Sequence, residues 1–153
     1  MNRRTTLAAA TALAVTAGLA LAGCGNGETA EQLKVSDAYM PQPVTQKMAG
    51  AFFTIKNSGG ADKLTSVTSD LSKDVSLHTT SGNKMQHTDS LEIPANGELK
   101  LARGGNHVMF MGLKNKPVEG DKVTIELHFA TAKPITVEVP VKAVNYKPGD
   151  EKK

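Results

Sequence analysis

Between Lys122 and Ala130 the chain alternates without a break, with Val123, Ile125, Leu127 and Phe129 set against Thr124, Glu126 and His128. A period of two belongs to the β-strand, whose successive side chains point to opposite faces, and is out of step with a helix. A strand written this way buries one face and wets the other. It therefore requires a sheet with a core on one side. The same alternation returns in Ile135, Val137 and Val139 against Thr136 and Glu138.

The rest of the chain repeats this grammar in short runs rich in Val, Thr, Ile, Leu and Phe. Strands are expected over 34–39, 49–56, 63–68, 75–80, 90–93, 98–101, 107–113, 122–130 and 135–141. Asn57-Ser58-Gly59-Gly60, Ser81-Gly82-Asn83, Ala95-Asn96-Gly97, Gly104-Gly105-Asn106 and Glu119-Gly120-Asp121 supply the turns. Pro41-Gln42-Pro43 is expected in a loop, since proline is barred from helices and central strands. No internal repeat and no sustained helical period interrupts the series. Many short strands at this spacing predict an all-β domain, a β-sandwich or Greek-key barrel, over residues 33–145. The charged end, residues 146–153, is expected to be a flexible tail.

The N-terminus obeys other rules. Arg3 and Arg4 precede a stretch of small and apolar residues from Leu7 to Ala22, which ends in Leu21-Ala22-Gly23-Cys24. A basic start, a short apolar middle and small residues before a cut describe an export signal over residues 1–23. The stretch is shorter than the roughly 20 residues of a spanning helix, and Gly18 interrupts it. Leu-Ala-Gly-Cys resembles the lipobox of bacterial lipoproteins, which implies that Cys24 is acylated and that residues 24–32, small and polar, tether the domain to the membrane. The domain would then stand on the outer face of the cytoplasmic membrane. Without residues 1–23, sixteen Lys and Arg face fifteen Asp and Glu, scattered and without a basic run. Nucleic-acid binding has no support in such a distribution.

One strand carries unusual chemistry. In His107-Val108-Met109-Phe110-Met111, Val108 and Phe110 share an apolar face, while His107, Met109 and Met111 share the other. An imidazole and two thioethers on one face suit a soft ion such as Cu(I). In Asp74-Val75-Ser76-Leu77-His78-Thr79-Thr80, the same phase sends Val75 and Leu77 to the core and leaves His78 accessible with Ser76 and Thr80. Met85 follows the Ser81-Gly82-Asn83 turn between Lys84 and Gln86, a polar setting with little apolar surface for a methionine to cover.

These residues resemble the signature of the periplasmic copper(I) chaperones called PCuAC, in which a His and a Met are followed, after 21 residues, by His-x-Met. Here 21 residues separate Met85 from His107, and His107-Val108-Met109 completes the pattern. Ala51-Phe52-Phe53-Thr54-Ile55-Lys56-Asn57, Gly104-Gly105 with the strand that follows, and Glu119-Gly120-Asp121 are also similar to the family, so the likeness spans roughly Val35 to Val141. The resemblance implies a cupredoxin-like β-sandwich in which His78, Met85, His107 and Met109 bind one Cu(I). It implies delivery to the copper centre of a haem–copper respiratory oxidase, directly or through a copper-handling thiol protein, and no catalysed reaction. One departure stands out: six residues lie between His78 and Met85, against about ten in the family pattern. A His- and Met-rich C-terminal tail, which some relatives carry, is also missing.

The donor set agrees with a monovalent ion on chemical grounds, since two imidazoles and two thioethers are neutral and soft and offer nothing to a hard divalent cation. Met111 is read as a neighbour packing beside the site rather than a ligand. His87, two residues beyond Met85, is an alternative or additional donor; His128 belongs to solvent. Met40 and Met48 flank the Pro-rich loop, where they either pack or shield the site. An electron-transfer cupredoxin is excluded, because blue copper needs a thiolate and the only cysteine is Cys24 at the signal boundary. Neither a Ser-His-Asp order in a convincing context, nor paired acids in an apolar setting, nor a Gly-rich phosphate loop points to an enzyme. The competing reading is a metal-free surface lipoprotein that binds a protein or wall ligand, and it leaves His107-x-Met109 unexplained.

Overall fold

A computed structural model describes residues 32–149. Cys24, the export segment, the tether before Gln32 and residues 150–153 lie outside the described residues. Ten strands follow one another: β1 (Leu33–Pro41), β2 (Met48–Asn57), β3 (Asp62–Ser69), β4 (Asp74–Ser81), β5 (Lys84–Thr88), β6 (Leu91–Ile93), β7 (Glu98–Leu101), β8 (His107–Met111), β9 (Lys122–Phe129) and β10 (Ile135–Lys142). Their order is β5-β4-β8-β2-β1-β10-β9-β3-β6, with β7 also paired to β2. β3 lies against β4 and β6 against β7, so the two ends of this path face each other across one core. This is the all-β, cupredoxin-like sandwich the strand pattern and the resemblance predicted.

The alternation between Lys122 and Ala130 is realised in β9, where Val123, Ile125 and Leu127 are buried and Lys122, Thr124 and Glu126 are exposed. Phe53, Ile55, Leu64, Ile93, Val108, Phe110, Val139 and Val141 complete a core with almost no exposure. Met40 is fully buried there, so it packs, while Met48 is half-exposed and does not. β2 is buried along nearly its whole length because neighbours flank it on both sides. Its first half pairs with β8 (Ala49↔Phe110, Gly50↔Met109), its second half with β7 (Phe53↔Leu101, Ile55↔Leu99), and from Phe52 onward its other edge pairs with β1.

Three local features shape the site. The register of β1 on β2 shifts between Ser36 and Tyr39, with Asp37 at φ 54°, a β-bulge that seats Tyr39 opposite Phe52. Gly112, at φ 59°, ends β8 at Met111, two residues short of the expected limit. The carboxylate of Asp62 accepts backbone N–H bonds from Lys63 and Thr131 on Oδ1 and from Ala132 on Oδ2, clamping the loop after β9 to the start of β3. Burial works to raise the pKa of Asp62, but these donors outweigh it and hold the carboxyl below its usual range.

The strand β5 was not among those expected. Lys84, Met85, Gln86 and His87 are all exposed, so no apolar phase marks the segment. Pairing with β4 alone makes it a strand. Pro41 closes β1 rather than opening a loop, and the loop starts at Gln42. In the expected C-terminal tail, Tyr146 packs edge-on against Tyr39 with ring centroids 5.1 Å apart.

Candidate metal centre

β5, β4 and β8 lie side by side at one end of the sheet, and their register makes a grid of side chains on one face. Residues directly opposite in antiparallel strands share a face, so each paired position reads as a row. The central row is His87, His78, His107. The next row holds Ser76 and Met109, with Gly50 of β2 beyond; the third holds Asp74, Met111 and Met48. On the other side of the central row stand Thr80 and Met85.

His78 and His107 are stacked, with ring centroids 5.4 Å apart and planes inclined by 23°. His78, expected to be accessible, is half-buried, and His107 is buried at 6% exposure. The ring of Phe52, 6.4 Å away, and the ring of His78 cover it, and Phe52 is itself backed by Tyr39 at 5.2 Å. The strand phase was right, since Val108 and Phe110 are fully buried on the opposite face. What differs is that this end of the second face is roofed by aromatic rings.

The nitrogens of this pair have an asymmetric fate. Nδ1 of His107 lies 3.0 Å from the carbonyl oxygen of Gly105. A carbonyl only accepts, so Nδ1 carries a proton, and the nitrogen left to offer a lone pair is Nε2. That Nε2 is buried and has no hydrogen-bond partner among the described residues. Nε2 of His78 lies 3.0 Å from the hydroxyl of Ser76, and its Nδ1 is likewise buried without a partner. Burial, and then the positive charges that His107 and His87 would add, push the His78 imidazole below the ordinary histidine range, which favours the neutral ring. Two buried ring nitrogens, each without a partner among the described residues, are an expensive arrangement in a small domain. With Nε2–H of His78 donating to the Ser76 hydroxyl, each ring would offer a bound cation one lone pair.

Met109 is half-buried in the row next to the pair. Gly50 opposite it contributes no side chain, which leaves room beside the thioether. Met85 is 54% exposed and stands opposite Thr80, one row out from His78 on the same face. The six-residue spacing is met by a tight hairpin: Ser81 pairs with Lys84 across a two-residue loop whose first member, Gly82, has φ 57°. Such turns favour glycine at that place. The structure thus joins His78 and His107 directly, sets Met109 beside them and places Met85 at the rim. Met111 is 37% exposed one row past Met109, and Met48 stands opposite it, remote from the paired rings.

His87 is expected either to replace Met85 as a donor or to assist it. It is directly opposite His78 on β5, with ring centroids 5.8 Å apart and planes perpendicular. Its position two residues after Met85 signalled a shared face only if the segment is a strand, which the exposed sequence does not reveal. Among the described residues no three His, Cys, Asp or Glu side chains already converge on one point. His128 lies elsewhere, on β9, held by Thr68 and Glu126.

Residues 33–141 match the family described as "Putative lipoprotein LpqE-like". The chain is 34% identical over 157 residues to "Putative lipoprotein Lxx21020" of Leifsonia xyli subsp. xyli (strain CTCB07), covering 93% of each. Among solved structures it is similar to the copper-bound PCuAC domain from PmoF2, with a TM-score of 0.65, 22% identity and coverage of 73% of this chain and 93% of that one. It is also similar to CuI-DR1885 from Deinococcus radiodurans, with a TM-score of 0.60, 31% identity and coverage of 75% of this chain and 83% of that one.

Proposed function

The chain belongs to the LpqE-like lipoproteins, which are the PCuAC copper-binding family, and from that premise we propose that it is an extracytoplasmic, lipid-anchored copper(I) chaperone. The observation that carries the reading is the stacked His78–His107 pair with its two buried, unpartnered nitrogens. Met109 and Met85 on the same face complete a neutral set of two imidazoles and two thioethers, which fits Cu(I) and leaves the loaded site with a single positive charge. Copper is the cargo here, and Cys24 is the lipid attachment point.

The gradient of exposure across the four donors suits transfer. His107 is held by the Gly105 carbonyl and roofed by Phe52, so it keeps its orientation whether or not an ion is present. Met85 is on the exposed edge strand and is the donor most readily exchanged for one of an acceptor's. Release then proceeds by ligand substitution from the rim inward, without a change in the buried pair. The recipient in this reading is the copper centre of a haem–copper respiratory oxidase, reached directly or through a thiol protein, on the outer face of the cytoplasmic membrane.

A Cu(I) competition titration of the full chain in detergent, under reducing and anaerobic conditions with a chromophoric chelator, tests this. One equivalent should bind, and Met109→Ala should weaken it by about tenfold or more. Failure to compete with the chelator would remove the copper reading and leave a surface-binding lipoprotein in its place.

A further inference from the structure

Three histidines from three strands occupy one row. β4 pairs with β5 at His78↔His87 and with β8 at His78↔His107, so all three imidazoles rise from the same face. The rings follow the register, with His107 5.4 Å and His87 5.8 Å from His78 between centroids. Met85 starts one row further along, opposite Thr80. In the grid of the sheet, His87 is therefore closer to His78 than Met85 is.

Among the described residues no hydrogen bond engages the His87 ring. Its side chain is 61% exposed on an edge strand, and the carboxylate of Asp89 stands 4.0 Å from Nδ1, at the outer limit of an ion pair and beyond hydrogen-bond reach. The ring meets His78 edge-on, and its exposure lets it turn about its own side-chain bonds toward the pair. The pair in turn holds two buried nitrogens that lack partners, Nδ1 of His78 and Nε2 of His107. Donor chemistry separates the two oxidation states of copper. Thioethers suit the monovalent ion, whereas the divalent ion takes imidazole nitrogen and oxygen in tetragonal sets.

We propose that His87 is a third imidazole ligand, used when the ion is divalent: His78, His87 and His107 hold Cu(II), while His78 and His107 with Met85 and Met109 hold Cu(I). This rests on the copper reading above. The ion arrives already in either state, so the protein supplies no electron. His78 and His107 stay in both sets. Met85 and His87, two residues apart on β5, are the alternatives, and a small movement of the edge strand or of their side chains exchanges one for the other. Water from the open side fills the remaining position of the divalent ion.

The test uses the full chain in detergent, loaded with one equivalent of Cu(II), and its His87→Ala and Met85→Ala variants. Pulsed electron paramagnetic resonance should count three coordinated imidazoles in the wild type and two in His87→Ala, with Cu(II) affinity falling by about tenfold or more. Cu(I) affinity in that variant should change less than about twofold, and Met85→Ala should show the reverse pattern. An unchanged imidazole count in His87→Ala, no Cu(II) binding by the wild type, or an equal loss for both ions would each overturn the proposal. Failure of the copper(I) reading itself shows separately, as loss of Cu(I) competition by the wild type. His87 is exposed, so its replacement leaves the core untouched.

Discussion

Replacing His107 with leucine should make the apo protein more stable while destroying its affinity for copper. The balance can be drawn from the site. The buried Nε2 of His107 has no partner, and an unsatisfied buried polar atom costs roughly 1–3 kcal/mol. Leucine has a similar volume and removes that atom. The variant gives up the Nδ1–H bond to Gly105, a contribution of about 1 kcal/mol. Gly105 is only partly buried, so water can satisfy its carbonyl. The net expectation is a gain of about 1 kcal/mol for the apo fold. Wild-type protein with free Cu(I) at a hundred times its dissociation constant should gain about 2.7 kcal/mol, and the leucine variant nothing. The chain has no tryptophan, so urea unfolding is followed by far-ultraviolet circular dichroism, with and without Cu(I). If apo His107→Leu were instead less stable by about 2 kcal/mol or more, the imidazole would be a structural residue in a satisfied pocket, and the argument from its orphaned nitrogen would fail.

Two further outcomes concern the frame around the site. Because backbone donors hold the Asp62 carboxyl below its usual range, its stabilisation is present above the unfolded carboxylate value near pH 4 and is lost as pH falls through the lower folded value; Asp62→Asn should flatten that part of the stability–pH curve and cost roughly 1–2 kcal/mol at neutral pH in equilibrium unfolding. Gly82→Val places a β-branched residue at φ 57°, which should cost about 1–2 kcal/mol and broaden amide resonances across the β4–β5 hairpin, while sharp, unshifted resonances would show that the turn tolerates it.

What could be read in advance was whatever depends on one strand and one core. The phase of β9, the apolar face of Val108 and Phe110, and the side on which His78 lies all follow from alternation against a single buried face. What could not be read depends on a neighbour from elsewhere in the chain. β5 is a strand only because β4 pairs with it, and its own residues carry no buried phase. The burial of His107 comes from Phe52 on β2, backed by Tyr39, whose position depends on the bulge at Asp37. The row of three imidazoles needs two registers at once, β4 on β5 and β4 on β8. Spacing along the chain specifies neither.

The divided pairing of β2 has a consequence in time. Its first residues bond to β8 beside the histidine row, its later residues bond to β7 over the main core, and β1 closes its other edge from Phe52 onward. Amides from Phe53 to Lys56, in the part of β2 with a neighbour on each edge, are shut off from solvent until the domain opens, so their hydrogen exchange should track global unfolding, at minutes to hours or slower. β5 has a single neighbour and no buried side chain, and its amides should exchange by local fraying at a fraction of that free energy. The histidine row thus spans a gradient of opening rates, from His107, beside slow β2, to His87 on the fast margin. An ion held across that row stitches the margin to the base, and its arrival should be visible first as slowed exchange in β5.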